Sequence, residues 1–255
     1  MFYETLSFQK ENHVMIINLL GPTNDQVEMA RLSDEFSEVC TEISSDKEIL
    51  VVIINWDVKH SLPEANLDKD VIGYRDHEIK FTSLSEIVSQ IECPVIAAIN
   101  GDAIGQALEL ALACDMRIAS EESHFGLPYI NEGIIPWDGG TQRLPRLVGK
   151  GKAIEMILTG EIINAHEAHR IGLVNKIVPA KDLMTTVIDI AQEMASKGPI
   201  ALKYAKEAIL KGMDLTLDQG LRLEADLYLL IHTTRDRTEG ITAFREKRKA
   251  IFEGR

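Results

Sequence analysis

The chain has few cysteines, few basic residues and no long apolar run. Cys40, Cys93 and Cys114 lie far apart, are odd in number and form no CxxC pair. A disulfide framework is therefore not expected, and the thiols read as small buried apolar groups in a reducing compartment. Lysine and arginine total 27 against 40 aspartates and glutamates, a net charge of −13. With no basic stripe to displace counterions, nucleic-acid binding is not expected as the main activity. A small anionic ligand stays open, because a few local cations and backbone N–H groups suffice to hold one. No window approaches the ~20 uninterrupted apolar residues that would span a bilayer, so no membrane partner is expected. The stretch MFYETLSFQKEN lacks the apolar centre of a secretory signal, and cytoplasm is the expected location. Absent too are GxSxG, HExxH, a Walker A pattern and a GxGxxG after a strand. That disfavours a serine hydrolase, a zinc protease, a P-loop NTPase and a dinucleotide enzyme.

What is present is ordinary globular composition, 45% hydrophobic and 26% charged over 255 residues. This length suits one large domain or a domain with an appended subdomain. Residues 2–8 and 13–20 read as strands joined around Lys10–Asn12, and Val27, Met29, Leu32, Phe36 and Val39 give residues 26–44 helical spacing. ILVVIIN (49–55) and PVIAAIN (94–100) are continuous aliphatic runs, as expected of strands buried on both faces. Between them residues 76–92 form an amphipathic helix that Cys93-Pro94 ends, and MRIAS (116–120) reads as a further strand. The alternation predicts layered α/β packing with crossover connections. After residue 140 the pattern turns helical, over 141–147, 150–159, 165–171, 180–197, 199–212, 217–232 and 236–252, broken by GLVNKIVP (172–179). We set a domain boundary near residue 190: a core over 1–190 and a C-terminal helical region over 191–255.

The stretch GDAIGQALELALACD (101–115) joins a glycine-bearing turn to an apolar helix that carries one acid, Glu109. A helix start presents about four N–H groups without intrahelical partners, together with positive dipole potential. Such an end holds an anion, or an oxygen that becomes negative during reaction. Glu109 lies three residues after Gln106, about one turn along the same face, within reach of a substrate atom held there. The alternative is an exposed glutamate, or one paired with a distant cation.

Residues 94–147, PVIAAINGDAIGQALELALACDMRIASEESHFGLPYINEGIIPWDGGTQRLPRLVG, resemble the crotonase (enoyl-CoA hydratase/isomerase) superfamily. The resemblance continues through KAIEMILTGEIINAHEAHRIGLVNKIVP and EGITAFREKRKAIFEG, and is loosest over the first 50 residues. It implies an α/β spiral of ββα turns with a C-terminal helical subdomain, trimers or dimers of trimers, and acyl-CoA thioester substrates. It also implies that two backbone N–H groups bind the thioester oxygen. One matches Ala65 in PEAN, where the family usually has AGAD; the other matches Gln106 after Gly105. Glu109 matches the first of the two glutamates with which family hydratases position water. Lys59 and Lys247 match positions near the CoA phosphates, and Asn66 stands where an aspartate is usual. No separate cofactor is implied, since CoA enters with the substrate.

The chain departs from that pattern beside the acid. The second glutamate normally follows FGxP; here the sequence is FGLPY and Tyr129 takes its place. A phenol, with reference pKa ~10, is a poor base at neutral pH, though it can donate a hydrogen bond or orient water. The usual GAGGTQRL reads Trp137-Asp138-Gly139-Gly140-Thr141-Gln142-Arg143-Leu144. Two readings of Asp138 follow: a second acid/base facing the substrate, or a cap on the helix that starts at Gly139. Trp137, Tyr129 and the bulk of Gln106-Ala107 suggest a flat or cyclic acyl group, such as a conjugated dienoyl. His166 and His169 sit at i, i+3 without further ligands in register, so no metal is expected. His124 reads as a pocket residue or as a hydrogen-bonded core histidine. The leading expectation is a lyase adding water to, or removing it from, an α,β-unsaturated acyl-CoA. Double-bond isomerisation, thioester hydrolysis and a catalytically silent acyl-CoA-binding paralogue are the alternatives.

Overall fold

The structure, a computed structural model, describes residues 3–20, 26–58 and 83–255, with backbone alone at 26–30 and 56–58. Two strands, β1 (Leu6–Glu11) and β2 (Val14–Leu19), pair antiparallel about a turn at Asn12, whose φ of 55° is in the left-handed region that asparagine tolerates. β3 (Val51–Val58), β4 (Val95–Gly101), β6 (Met116–Ser120) and β9 (Lys176–Val178) continue the sheet in parallel from β2, in the order β1-β2-β3-β4-β6-β9.

The aliphatic runs are explained by what covers each face. Alternate residues Val52, Ile54, Val95, Ala97 and Ile99 share one core with Leu32, Phe36, Val39 and Ile43 of α1 (Gln26–Ser45), and with Leu84 and Val88 of α2 (Leu84–Ser89). Their neighbours Val51, Ile53, Ile96 and Ala98 join Leu183, Val187 and Ala191 of α7 (Leu183–Ala195) in a second core on the opposite face. Strand periodicity of two divides one unbroken hydrophobic sequence between two helix layers. The boundary set near residue 190 falls inside α7.

A second sheet of three short strands, β5 (Ala103–Ile104), β7 (His124–Gly126) and β8 (Ile162–Asn164), lies beside the central helix α3 (Gln106–Ala113). The sequence reading assigned none of them, nor β9 within GLVNKIVP. Runs of two or three residues carry no measurable alternation, and their pairing partners are remote in sequence. Helices α4 (Gly140–Val148), α5 (Lys150–Thr159) and α6 (Ala165–Arg170) follow the expected spans closely.

The C-terminal region holds α8 (Pro199–Gly212), α9 (Leu217–Ile231) and α10 (Arg235–Glu246). The helix expected over 236–252 stops at Glu246, because Lys247 turns left-handed at φ 55° and Arg248 swings back onto Glu239 in a two-pronged ion pair. Lys206 of α8 ties this region to the core: its ammonium donates to Ile91 and Cys93 carbonyls at 2.8 Å and pairs with Asp115 at 2.7 Å. Asp115 in turn accepts the N–H of Val95, at the start of β4, at 2.7 Å.

Candidate active site

The site is built where β4 delivers the chain into α3. Gly101 (φ 116°) leaves the strand, and its N–H donates to the Ser123 hydroxyl at 3.2 Å. That buried hydroxyl donates in turn to the Ile99 carbonyl at 3.2 Å. Gly105 sits at φ 61°, a conformation costly for any residue with a Cβ, and its own N–H is spent on the Gly126 carbonyl at 2.9 Å. The next N–H, that of Gln106, is the first of α3 and has no intrahelical acceptor. Ala107, Leu108, Leu110 and Ala111 are fully buried, so the helix is held on all sides by packing. Its far end is closed by Arg117, a buried guanidinium that donates to the carbonyls of Cys114 (2.7 Å), Ala111 (3.2 Å) and Leu173 (2.7 Å).

Glu109 points inward, with 0% of its surface exposed. Oε2 accepts the Tyr129 hydroxyl at 2.7 Å; Oε1 accepts the N–H of Asp138 at 2.9 Å and that of Gly140 at 2.8 Å. Burial raises its pKa above the ordinary carboxylate range. The three hydrogen bonds favour the ionised form and oppose the shift, and the negative charge of Asp138 adds to it. A carboxyl lifted in this way holds a proton more readily than an exposed one, which suits it to accept and return one. Gly140 is required by crowding: a Cβ there would stand 2.9 Å from Glu109 Oε1, Leu127 Cδ1 and Pro136 Cβ alike.

Asp138 is buried, and its two ends face different ways. Its carboxylate accepts the Ser83 hydroxyl through Oδ1 and the Ser85 N–H through Oδ2 (3.3 Å), so it caps the start of α2 from another segment. The expected cap on its own downstream helix is not formed; α4 begins on Gly139, left-handed at φ 100° and without a side-chain bond. Ser83, Glu86, Trp137, Asp138, Gly139 and Arg143 line a cleft of about 510 Å³.

Glu109, Tyr129, Gly105, Gln106 and Asp138 are thus gathered around one helix start, and Trp137 lines the adjoining cleft. Lys247 is exposed at the end of α10, on a different element from the rest of the set. Lys59, Ala65 and Asn66 lie outside the described residues. His124 is neither a core nor a pocket residue; it is exposed and pairs with Asp102 at 2.8 Å. His166 and His169 are exposed on α6. Sequence reasoning missed Ser83, Ser85 and the donor role of Gly140. Ser83-Leu-Ser-Glu86 does carry the S-x-x-E signature of a helix start, which the longer helix expected over 76–92 obscured.

The sequence model for "Enoyl-CoA hydratase/isomerase" matches residues 9–255. The chain belongs to the enoyl-CoA hydratase/isomerase family. Among relatives of this family, the crotonyl-CoA hydratase of Syntrophomonas wolfei is 37% identical, covering 99% of each chain. The short-chain-enoyl-CoA hydratase of Clostridium acetobutylicum is 38% identical over 94% of each. The crystal structure of enoyl-CoA hydratase from Bacillus anthracis superposes with a TM-score of 0.87 at 37% identity, covering 99% of this chain and 100% of that one. The α/β spiral core with its helical C-terminal region is accordingly the crotonase fold, as the sequence resemblance implied.

Proposed function

We propose that the chain is an enoyl-CoA hydratase, adding water to the double bond of an α,β-unsaturated acyl-CoA thioester or removing it. The observation that carries this reading is Glu109: a fully buried carboxyl, lifted in pKa, one helical turn beyond the unspent N–H of Gln106. The thioester oxygen would accept the N–H groups of Gln106 and Ala65, each worth ~3–4 kcal/mol as charge develops on that oxygen. Water would add to the β carbon as Glu109 takes its proton, and Glu109 would return a proton to the α carbon. Tyr129 would hold Glu109 and orient the water; as a phenol donating to Glu109, it does not replace the second carboxylate of the family pattern. Gly105 and Asn66 would shape the oxyanion loop, and Lys59 and Lys247 would face the CoA phosphates as point charges. The steps use no separate cofactor.

The bulk of Trp137, Tyr129 and Gln106, where the family pattern has smaller residues or a glutamate, favours in this reading a flat, conjugated or cyclic acyl group over a long saturated chain. Isomerisation is the second reading, favoured by a single carboxyl able to shuttle a proton between carbons. For assembly we propose a trimer, or a dimer of trimers. Ile209, Leu217, Leu221, Leu229 and Phe244 expose apolar side chains on the three C-terminal helices, as does Met213 just past α8, surface that such an assembly would cover. A cytoplasmic location fits this reading; no helix of the described residues is long and apolar enough to cross a membrane.

The test is ultraviolet absorbance of enoyl-, dienoyl- and cyclic dienoyl-CoA thioesters mixed with the protein and with its Glu109→Gln variant. Hydration abolishes conjugation, isomerisation shifts the band, and hydrolysis frees a thiol. The glutamine variant should lose at least about 10³-fold in kcat, since it can neither accept nor return the proton. Retention of more than a tenth of the wild-type rate would overturn Glu109 as the acid/base, and no change with any thioester would favour a binding-only protein.

A further inference from the structure

We propose that Asp138 is a positioning residue: its carboxylate grips the start of α2, and that grip holds two main-chain N–H groups on Glu109. The inference rests on the hydratase reading for its kinetic consequence, though not for its geometry.

All four polar groups of Asp138 are engaged. Its N–H donates to Glu109 Oε1 at 2.9 Å, and its carbonyl accepts Nη1 of Arg143 at 3.0 Å. Oδ1 accepts the Ser83 hydroxyl, and Oδ2 accepts the Ser85 N–H at 3.3 Å. Ser83 is itself fixed, since its Oγ accepts the N–H of Glu86 at 2.8 Å as the N-cap of α2. On the other side Gly139, at φ 100°, lies so close under the Arg143 guanidinium that a Cβ would collide with it. The three-residue segment 138–140 is therefore held at Asp138 from two directions, by α2 through the Asp138 carboxylate and by Arg143 through the Asp138 carbonyl. Its inner edge presents the Asp138 and Gly140 N–H groups to one oxygen of Glu109. A carboxylate that already receives two donors from α2 is poorly arranged to exchange protons with substrate. It is well arranged to fix a loop, and a misplacement of ~1 Å at a reacting group costs about 10²-fold in rate.

Four variants separate this role from direct proton transfer: Ser83→Ala, Asp138→Ala, Asp138→Asn and the Ser83→Ala/Asp138→Ala double. Ser83→Ala leaves the Asp138 carboxylate intact and removes one of its anchors. We expect Ser83→Ala and Asp138→Ala each to lower kcat ten- to hundredfold, with the double no worse than the weaker single, because both act through one contact. Asp138→Asn keeps an acceptor for the Ser83 hydroxyl and should retain more than a tenth of wild-type kcat.

The pH profile adds a readout that a purely structural role would leave still. Among the described residues, Tyr129 donates to Glu109, and the Asp138 carboxylate, turned toward α2, acts on it through its charge, with Arg143 and Glu86 on the cleft side of Asp138. Removing the Asp138 charge in Asp138→Asn should move the acid limb of kcat/KM to lower pH. A wild-type kcat in Ser83→Ala together with a 10³-fold loss in Asp138→Asn would overturn the proposal in favour of direct proton transfer. So would disappearance of a limb of the profile in Asp138→Asn. Amide hydrogen exchange at residues 138 and 140 decides the geometry without any substrate: it should quicken in Ser83→Ala and Asp138→Ala. Unchanged exchange in Ser83→Ala overturns the proposal whatever the activity. Quickened exchange in a protein that turns over no thioester would instead sink the hydratase reading alone.

Discussion

Replacing Tyr129 by Phe removes one hydroxyl from a buried position and leaves the ring in place, so it tests the bond that hydroxyl makes to Glu109. The hydroxyl donates to Glu109 Oε2 at 2.7 Å, with Tyr129 itself buried. A hydrogen bond to a charged group contributes about 1.5–3 kcal/mol. The neutral form keeps about 0.5–1.5 kcal/mol of that, so at 1.36 kcal/mol per pKa unit the remaining ~1–1.5 kcal/mol corresponds to about 1 unit. Because the bond favours ionised Glu109, its loss raises a pKa that burial has already raised. If Glu109 must be ionised to take a proton from water, the acid limb of kcat/KM should therefore move up by about 1 pH unit. Stability should change with pH as well. A carboxyl whose folded pKa exceeds its unfolded value contributes stability that is intact below the unfolded pKa and lost as pH rises through the folded pKa. The variant should thus lose only about 0.5–1.5 kcal/mol at pH ~3.5, the share of a neutral hydrogen bond, and about 1.5–3 kcal/mol at pH ~8. Urea unfolding at the two pH values, beside a pH–rate profile on the preferred thioester, measures both effects. An acid limb that stays in place or moves down, or equal destabilisation at both pH values, would refute the assignment of Tyr129 as a donor to ionised Glu109.

Gly140→Ala should lower kcat about 10- to 100-fold, although alanine is the better helix former by ~1 kcal/mol, because its Cβ would displace Glu109 Oε1; steady-state kinetics on the folded variant checks this. Arg117→Met should cost about 3 kcal/mol or more in urea unfolding, since three buried carbonyls at the end of α3 and at Leu173 lose their donor. The thiols of Cys40, Cys93 and Cys114 are pushed up by burial to about 12, about 11 and about 12. A thiol reagent at pH 8 should therefore modify none of the three in the native protein and all three in urea.

The central part of the fold was legible because its signals are long. Residues 49–55 and 94–100 could hardly be anything but strands covered on both faces, and each pairs with its neighbour in parallel as that pattern requires. Glu109 was legible for a related reason: an acid inside an apolar helix must be explained by a partner, and the partners are there. Asp138 was half legible. That it caps a helix could be read from its residue type, whereas the Ser83 it grips at that helix start lies 55 residues earlier in the chain, a distance no local pattern spans. The three-stranded sheet was invisible because its strands are too short to show a period, and α10 was overextended because a left-handed lysine leaves no compositional trace.

The shortness of α3 has a consequence for how this protein can change. With a rise of ~1.5 Å per residue, the three steps from the amide of Gln106 to Glu109 amount to ~4.5 Å along the axis. The helix is walled in by packing and shut at its far end by Arg117, so that spacing works as a ruler whose marks cannot slide. On the proposed reading, a change of acyl group would then have to be met by residues outside α3, and not by adjusting the interval between the amide and the acid.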